Sequence, residues 1–183
     1  MYEQVSHSLL NDILIKLNPE IKQHQIRHFY TRLGANFYAI YSLFHYLYGS
    51  RDDFAEQALN LVETLARQYI ARDDVLKQKD LEREKDHNWF LSQKWVGMAL
   101  YSDGFAENLN GLQSRLHYLQ ELGVNMIHIM PILQCPEGRS DGGYAVSDFR
   151  KVDHRIGTNE DLQSLVTDLQ KRDILLTLDV VLN

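Results

Sequence analysis

The sequence predicts a mixed α/β fold, in which a helical first half is followed by parallel strands joined by helices. Residues 1–90 contain almost no glycine or proline, and their apolar residues recur at helical spacing. Residues 91–183 instead alternate short apolar runs with helical patterns, which is typical of parallel βαβ units with right-handed crossovers. We therefore predict two domains, an all-helical one over residues 1–90 and an α/β one over residues 91–183.

Several helices are predicted in the first half. An amphipathic stretch comes first, and residues 18–20 (Asn-Pro-Glu) then form a typical helix start. A long helix or helix pair ends near Gly49, Ser50 is placed to cap the next helix, and a highly charged helix covers about 74–84. The residues predicted to face the core are Val5, Leu9, Leu10, Ile13, Leu14, Leu17, Ile26, Phe29, Leu33, Phe37, Ile40, Tyr41, Phe44, Leu47, Phe54, Ala58, Leu61, Val62, Leu65 and Tyr69.

Three strands and two helices are predicted in the second half. In chain order they are a strand over 95–101, a helix over 112–122, a strand over 124–130, a helix from 158 to about 172 and a strand over 174–182. The second helix begins with a pair typical of a capping box, Thr158 and Asp161. Such apolar parallel strands need cover on both faces and neighbouring strands. We therefore expect an amino-terminal fragment of a longer protein, or a unit completed by a partner.

The composition argues against several classes of function. Hydrophobic residues make up 44% of the chain and charged residues 24%, as in folded soluble proteins. The net charge is −6, so neither nucleic acid nor an anionic membrane is an expected partner. No apolar run approaches the ~20 residues that span a bilayer. The single cysteine, Cys135, forms no internal disulfide, which fits an expected location in the reducing cytoplasm.

The strongest candidate site lies in the long connection over residues 131–157, since usual connections have ~2–6 residues. In α/β enzymes such loops, at the carboxyl ends of parallel strands, hold the site. Two adjacent glycines allow a backbone geometry that aims Asp141 and Tyr144 into one cavity. A carboxylate beside an aromatic ring suits a sugar, because the acid accepts hydroxyl hydrogens and the ring packs on the sugar. From the residues alone, a plain Asp-Gly-Gly turn is the alternative interpretation.

Asp179 stands at the carboxyl end of the last predicted strand. An acid in so apolar a run needs a partner or a polar cavity. A structural role and a direct substrate role are both open for this residue. Asn183, four residues further on, is expected to leave the strand toward the same face.

Other candidates are weaker, and no metal or cofactor is expected. His24 and His28 have the spacing of metal ligands, but no third ligand lies nearby in sequence. Cys135 is interpreted as a spectator thiol, and the mixed charges of residues 77–86 as a solvated helix face. No glycine-rich phosphate-binding motif is present. The aromatic residues interpreted as core are Phe37, Tyr38, Tyr41, Phe44, Tyr46 and Tyr48.

One segment resembles a known family. Residues 130–147 have the sequence Met-Pro-Ile-Leu-Gln-Cys-Pro-Glu-Gly-Arg-Ser-Asp-Gly-Gly-Tyr-Ala-Val-Ser. Together with Leu-Gly-Val at 122–124 and Asp-Val-Val-Leu-Asn at 179–183, this segment resembles the start of the catalytic barrel of the alpha-amylase family. Within that family the similarity is greatest to the amylosucrases, whose helical amino-terminal domain resembles the first half of this chain.

The resemblance implies a helical domain followed by the first three β/α units of an incomplete (β/α)8 TIM barrel. A complete barrel takes ~250 residues, more than the second half supplies. The implied reaction is a retaining transfer of glucose from sucrose to an α-glucan or to water. Its two catalytic carboxyl groups are expected beyond residue 183, so we assign no catalytic residue here and expect the fragment alone to be inactive.

The resemblance also assigns roles within this chain. It implies that Asp141 lies at the floor of the glucosyl pocket and that Tyr144 is the aromatic platform under the same glucose. Asp179 and Asn183 are implied to support the substrate-binding residues or the structure, without a metal. The alternatives are a sucrose hydrolase or another glucosidase of the family, and a non-catalytic carbohydrate-binding or interaction module. Departures at Met98, Ser102 and other positions leave transferase and hydrolase both open.

Overall fold

The chain divides into two units, residues 1–86 and 87–183, in a computed structural model that describes residues 8, 11, 12, 15, 16 and 23–181. Residues 8, 11, 12, 15 and 16 are helical. The helix start predicted at 18–20 and the candidate residue Asn183 lie outside the described residues.

Within residues 23–86 the first unit has three helices: α1 (Gln23–Tyr48), α2 (Phe54–Ala71) and α3 (Asp74–Arg83). The long helix and the charged helix match the prediction, and α3 has no buried residue. Asp73 caps α3, since its side chain accepts a hydrogen bond from the backbone N–H of Val75 at 2.8 Å. The predicted cap at Ser50 is wrong, because α2 begins later, after Asp53.

Helices α1 and α2 bury only the stripes that face each other. The buried cluster consists of Leu33, Phe37, Tyr41, Val62 and Ala66. The helical pattern of apolar residues is broader than this contact, so several residues predicted as core are exposed instead. Those that are wrong include Leu47, Leu65, Tyr38, Tyr46 and Tyr48, of which Tyr46 is 86% exposed.

Residues 87–181 of the second unit form five strands: β1 (Gly97–Leu100), β2 (Met126–Ile129), β3 (Leu133–Gln134), β4 (Asp148–Val152) and β5 (Leu175–Leu178). Strands β1, β2 and β5 form a parallel sheet in that order, which confirms the predicted topology. Each is shorter than its apolar run. The connection over residues 131–157 was predicted as a loop, but β3 and β4 pair within it as an antiparallel hairpin.

Four helices accompany this sheet: α4 (Ser102–Ala106), α5 (Leu109–Ser114), α6 (Leu116–Glu121) and α7 (Asn159–Lys171). The helix predicted over 112–122 is divided at Arg115 and begins earlier, because the Asn108 side chain caps α5 through the N–H of Gly111. The predicted capping box of α7 is confirmed. The N–H of Asp161 donates to Thr158 Oγ1 at 3.1 Å, and the N–H of Thr158 donates to Asp161 Oδ2 at 2.8 Å.

One face of the parallel sheet packs on these helices, while the other is open in the described part of the chain. Alternation along β2 sends Ile127 and Ile129 into the core, where both are fully buried. Ala99 and Thr177 lie on the opposite face and are exposed. The core itself is formed by Leu100, Ala106, Leu109, Leu112, Leu116, Leu119, Val124, Ile127, Ile129, Ile132, Val152, Leu165, Leu169 and Ile174.

Candidate functional site

The candidate site lies at the carboxyl end of the parallel sheet, on its open face. His128 in β2 is in register with Thr177 in β5, and Asp179 follows two residues later. Because side chains two residues apart in a strand share a face, Thr177 and Asp179 lie on the same side as His128. The strand ends therefore bring an imidazole and a carboxylate together.

Asp179 connects this edge of the sheet to the loop that carries Tyr144. Its Oδ1 lies 2.9 Å from Nε2 of His128. Its Oδ2 accepts a hydrogen bond from the hydroxyl of Tyr144 at 3.0 Å. Asp179, which was predicted to need a partner, thus has two. One of them is Tyr144, the other residue that the sequence analysis placed near this site.

These hydrogen bonds shift the pKa values of the two acids in opposite directions. The contact with His128 and then the Tyr144 hydroxyl lower the pKa of Asp179. Donation to Asp179 and partial burial raise the pKa of Tyr144. At neutral pH the tyrosine is therefore a hydrogen-bond donor and the aspartate is an ionised acceptor.

The loop reaches Tyr144 through three successive residues with positive φ. These are Asp141 at 48°, Gly142 at 67° and Gly143 at 96°. A side chain at Gly143 would be strained by φ and tightly crowded, since its Cβ would lie 3.0 Å from both the Cβ and the carbonyl oxygen of Pro131. The two glycines thus suit the turn that brings Tyr144 back over the end of the sheet.

Asp153 holds the base of this connection. It is 1% exposed, and Nε and Nη2 of Arg155 each donate to one of its oxygens at 2.8 Å. Its Oδ2 also accepts from the N–H of Cys135 at 3.3 Å, so one carboxylate ties both arms of the connection. The Arg155 side chain and two backbone N–H groups keep the pKa of Asp153 far below its usual value, despite burial.

Asp141 is exposed, and its carboxylate pairs with no side chain in the part of the chain that the structure describes. A cavity of about 150 Å³ lies beside the loop, lined by Tyr101, Ser102, Asp103, Pro131, Ser140, Gly142, Gly143, Arg155 and Ile156. Neither Asp141 nor Tyr144 lines it. The role predicted for Asp141 stays a prediction.

His128 is the residue that sequence reasoning missed. The sequence feature that could have identified it is a single imidazole inside the apolar run 126–130, on the face opposite the buried isoleucines. Such a group needs a polar partner, and the nearest acid at a strand end was Asp179. Pairing the two required the register between β2 and β5, which a single sequence does not supply.

The remaining candidates have ordinary surroundings. Cys135 is buried, and its thiol lies 3.3 Å from the carbonyl oxygen of Gly143. Burial raises the pKa of this thiol, which disfavours the reactive thiolate. His28 pairs with Glu84 at 3.1 Å. Residues 8, 11, 12, 15, 16 and 23–181 contain no group of three or more side chains suited to hold a metal ion, and no helix among them is long and apolar enough to span a membrane.

Part of the chain is similar to known proteins. Residues 101–183 match the sequence profile of the alpha-amylase catalytic domain. An oligo-1,6-glucosidase of Heyndrickxia coagulans is 38% identical over 81 residues, and an alpha-glucosidase of Schizosaccharomyces pombe is 44% identical over 81 residues. Each alignment covers 44% of this chain and 14% of the relative, so the chain spans only a small part of these relatives.

Similar solved structures include an isomaltulose synthase, SmuA of Protaminobacter rubrum. It is 33% identical, with a TM-score of 0.47, over 49% of this chain and 17% of that one. The match to the alpha-amylase catalytic domain falls on the unit that contains the parallel sheet and the candidate site. Residues 101–183 are therefore similar to the catalytic domain of the alpha-amylase family.

Proposed function

We propose that this chain is part of a sucrose-acting enzyme of the amylosucrase type. That enzyme transfers glucose from sucrose to an α-glucan, or to water, with retention at the anomeric carbon. The chain's own contribution is part of the glucose-binding pocket, and the two catalytic carboxyl groups lie outside residues 1–183. Retention requires such a pair, a nucleophile and an acid/base about 5–5.5 Å apart.

The observation that supports this proposal most is the loop carrying Asp141 and Tyr144 over the end of the sheet. Its positive φ angles and the Tyr144–Asp179 hydrogen bond hold an aromatic ring at the carboxyl edge of parallel strands. This edge is where barrel enzymes bind their substrates. An exposed carboxylate three residues before the ring is free to accept hydrogen bonds from sugar hydroxyls.

Each residue has a distinct role in the proposed pocket. The ring of Tyr144 packs against the apolar face of glucose, and its hydroxyl is occupied by Asp179. Asp141 binds sugar hydroxyls and fixes the position of the ring. Asp179 is not a nucleophile in this proposal, because both of its oxygens are engaged, one by His128 and one by Tyr144.

Hydrolysis is the second candidate activity. The curated relatives include glucosidases, such as those of Heyndrickxia coagulans and Schizosaccharomyces pombe. A glucosidase uses the same glucose pocket but passes the sugar to water. The two candidates differ in their products from sucrose, since a transferase forms a glucan and a hydrolase releases free glucose.

The test is an activity assay on the protein that the whole gene encodes, up to its natural stop codon. Sucrose is supplied, and fructose, glucose and glucan are measured separately. The transferase proposal predicts fructose in excess of glucose, with the difference found as glucan. Equal amounts of glucose and fructose would favour the hydrolase, and no turnover together with sugar binding would favour a carbohydrate-binding module.

Two variants of the loop test the pocket. We expect Asp141→Asn to lower fructose release by about 100-fold or more, because a misplaced glucose loses the geometry of attack. Glu137→Gln is the matched control, an exposed carboxylate of the same loop, and should keep the wild-type rate. A rate for Asp141→Asn equal to that of Glu137→Gln would show that Asp141 does not bind the reacting sugar.

A further inference from the structure

We infer that His128 is a positioning residue for the sugar site, because it orients the Tyr144 ring through the carboxylate of Asp179. The inference rests on the proposed binding of glucose at Tyr144. His128 itself contacts no sugar in this arrangement. Its effect passes through two hydrogen bonds, one on each oxygen of the same acid.

The two bonds together fix the plane of the carboxylate. Nε2 of His128 lies 2.9 Å from Oδ1 of Asp179, and the Tyr144 hydroxyl lies 3.0 Å from Oδ2. A carboxylate held at one oxygen still rotates about its own bond, whereas one held at both has a defined orientation. Removal of His128 therefore leaves Asp179 free to turn away from Tyr144.

The His128 end of this chain of contacts is the rigid one. Strand β2 is the central strand of the parallel sheet, and His128 is in register with Ala99 on one side and Thr177 on the other. Its neighbours Ile127 and Ile129 are fully buried. Tyr144, in contrast, belongs to a loop and is 38% exposed. His128, held in the sheet, thus fixes the orientation of the Tyr144 ring in the loop.

The contribution of the pair to overall stability is small by comparison. The side chains of His128 and Asp179 are 34% and 25% exposed, on the open face of the sheet. Ion pairs and hydrogen bonds in contact with solvent add little to the free energy of unfolding. A change at His128 is therefore expected to alter the site more than the fold.

The experiment compares three variants of the full protein. His128→Leu removes the hydrogen bond, and His128→Gln retains an N–H donor in a similar place. His117→Leu is the matched control, because it removes a histidine–carboxylate pair with Glu121, 3.3 Å long, on an exposed helix face. Each protein is labelled with fluorotyrosine, and the Tyr144 signal is assigned by its loss in Tyr144→Phe.

Two readouts are taken from each variant. One is the fluorine signal of Tyr144 and its pKa, and the other is the affinity for glucose and for sucrose. In His128→Leu we expect the signal to shift, the pKa of Tyr144 to fall toward its ordinary value and the affinity to drop about tenfold, the loss of ~1.4 kcal/mol. His128→Gln should largely restore the fluorine signal, the pKa of Tyr144 and the sugar affinity. His117→Leu should match the wild type in all of them.

The outcomes separate this inference from the proposed function. An unchanged Tyr144 signal and unchanged sugar affinity in His128→Leu, with an unchanged melting temperature, would overturn the inference. A wild-type protein that binds neither sugar would overturn the proposed function, and with it the role at a sugar site. A shifted Tyr144 signal in that case would still establish the link from His128 to the ring.

Discussion

The two units of the molecule bury their residues in different ways. In the helical unit, α1 and α2 touch along one stripe, and the buried cluster has five members, two of them aromatic. In the α/β unit, a sheet face and its helices enclose an aliphatic core in which Leu109, Leu112, Leu116 and Leu119 are fully buried. A sheet presents a whole face to its helices, so it encloses more apolar surface than a helix pair does.

The two units also differ in how far their charged groups are buried. Ion pairs of the helical unit, such as Arg32–Glu84 and Arg72–Asp80, lie in contact with solvent. The α/β unit instead holds Asp153 at 1% exposure and Asp179 between two partners. A dense core thus supports polar groups in defined positions, and the candidate site lies where that support exists.

The largest expected effect is a cavity in the α/β core. Leu116→Ala should lower the free energy of unfolding by about 3 kcal/mol, because the site is fully buried among leucines. Both tryptophans, Trp89 and Trp95, belong to this unit, so their fluorescence follows its denaturation. Leu122→Ala, at a half-exposed position, is the control and should change stability far less. Equal effects would contradict the tight packing described here.

The next effect is at the buried carboxylate. Asp153→Asn should cost about 2 kcal/mol at neutral pH, because charge-assisted bonds to Arg155 and to the Cys135 N–H are weakened. Since folding lowers the pKa of Asp153, its contribution is complete above about pH 4, its unfolded value, and is lost as pH falls further.

Urea denaturation at several pH values checks this expectation. The difference between wild type and Asp153→Asn should be constant from pH 7 to about 5 and should shrink below about pH 4. Asp148→Asn is a control in the same hairpin, at a carboxylate that is less buried. A difference that grows at low pH would mean that the Asp153 pair does not stabilise the fold.

The helical unit should respond less to a comparable change. Val62→Ala removes two methyl groups at a position that is 1% exposed and should cost about 1–2 kcal/mol. Hydrogen exchange of peptides from α1 and α2 measures this locally. Leu65→Ala, at 40% exposure in the same helix, is the control, and a larger effect there would restore the stripe expected from sequence.

The smallest effect on stability is expected at the site itself. Tyr144→Phe removes one hydrogen bond in contact with solvent, so the melting temperature should stay unchanged within error. The pKa of Asp179 should nevertheless rise, because the Tyr144 hydroxyl helps to lower it. Carbon NMR of the aspartate carboxyl groups measures that rise, and an unchanged titration of Asp179 would contradict the hydrogen bond.

The sequence was sufficient to predict the features that depend on residue types and their spacing along the chain. The capping box of Thr158 and Asp161 and the parallel order of the three strands follow from residue types and spacing. It was insufficient where several neighbours compete. Ser50 and Asp53 are both residue types that favour helix starts, although the Asp53 side chain makes no capping hydrogen bond, and the broad apolar stripe of α1 does not say which part meets α2.

The site divides in the same way. Asp179 and Tyr144 were identified one by one, as an acid in an apolar run and as a ring after a double glycine. Their hydrogen bond spans 35 positions, and that of His128 to Asp179 spans 51. Contacts at such separations depend on strand register and on the path of the 131–157 connection, neither of which is encoded by local preference.

The position of Asp153 has a consequence for engineering. One buried side chain secures both arms of the connection, whereas the tip at residues 137–139 is exposed. We expect segments of other lengths or compositions to be tolerated at this tip, because exposed loop tips accept insertions best. A library built at this tip would vary the loop that leads to Asp141 and Tyr144, while the stem that Asp153 secures is kept.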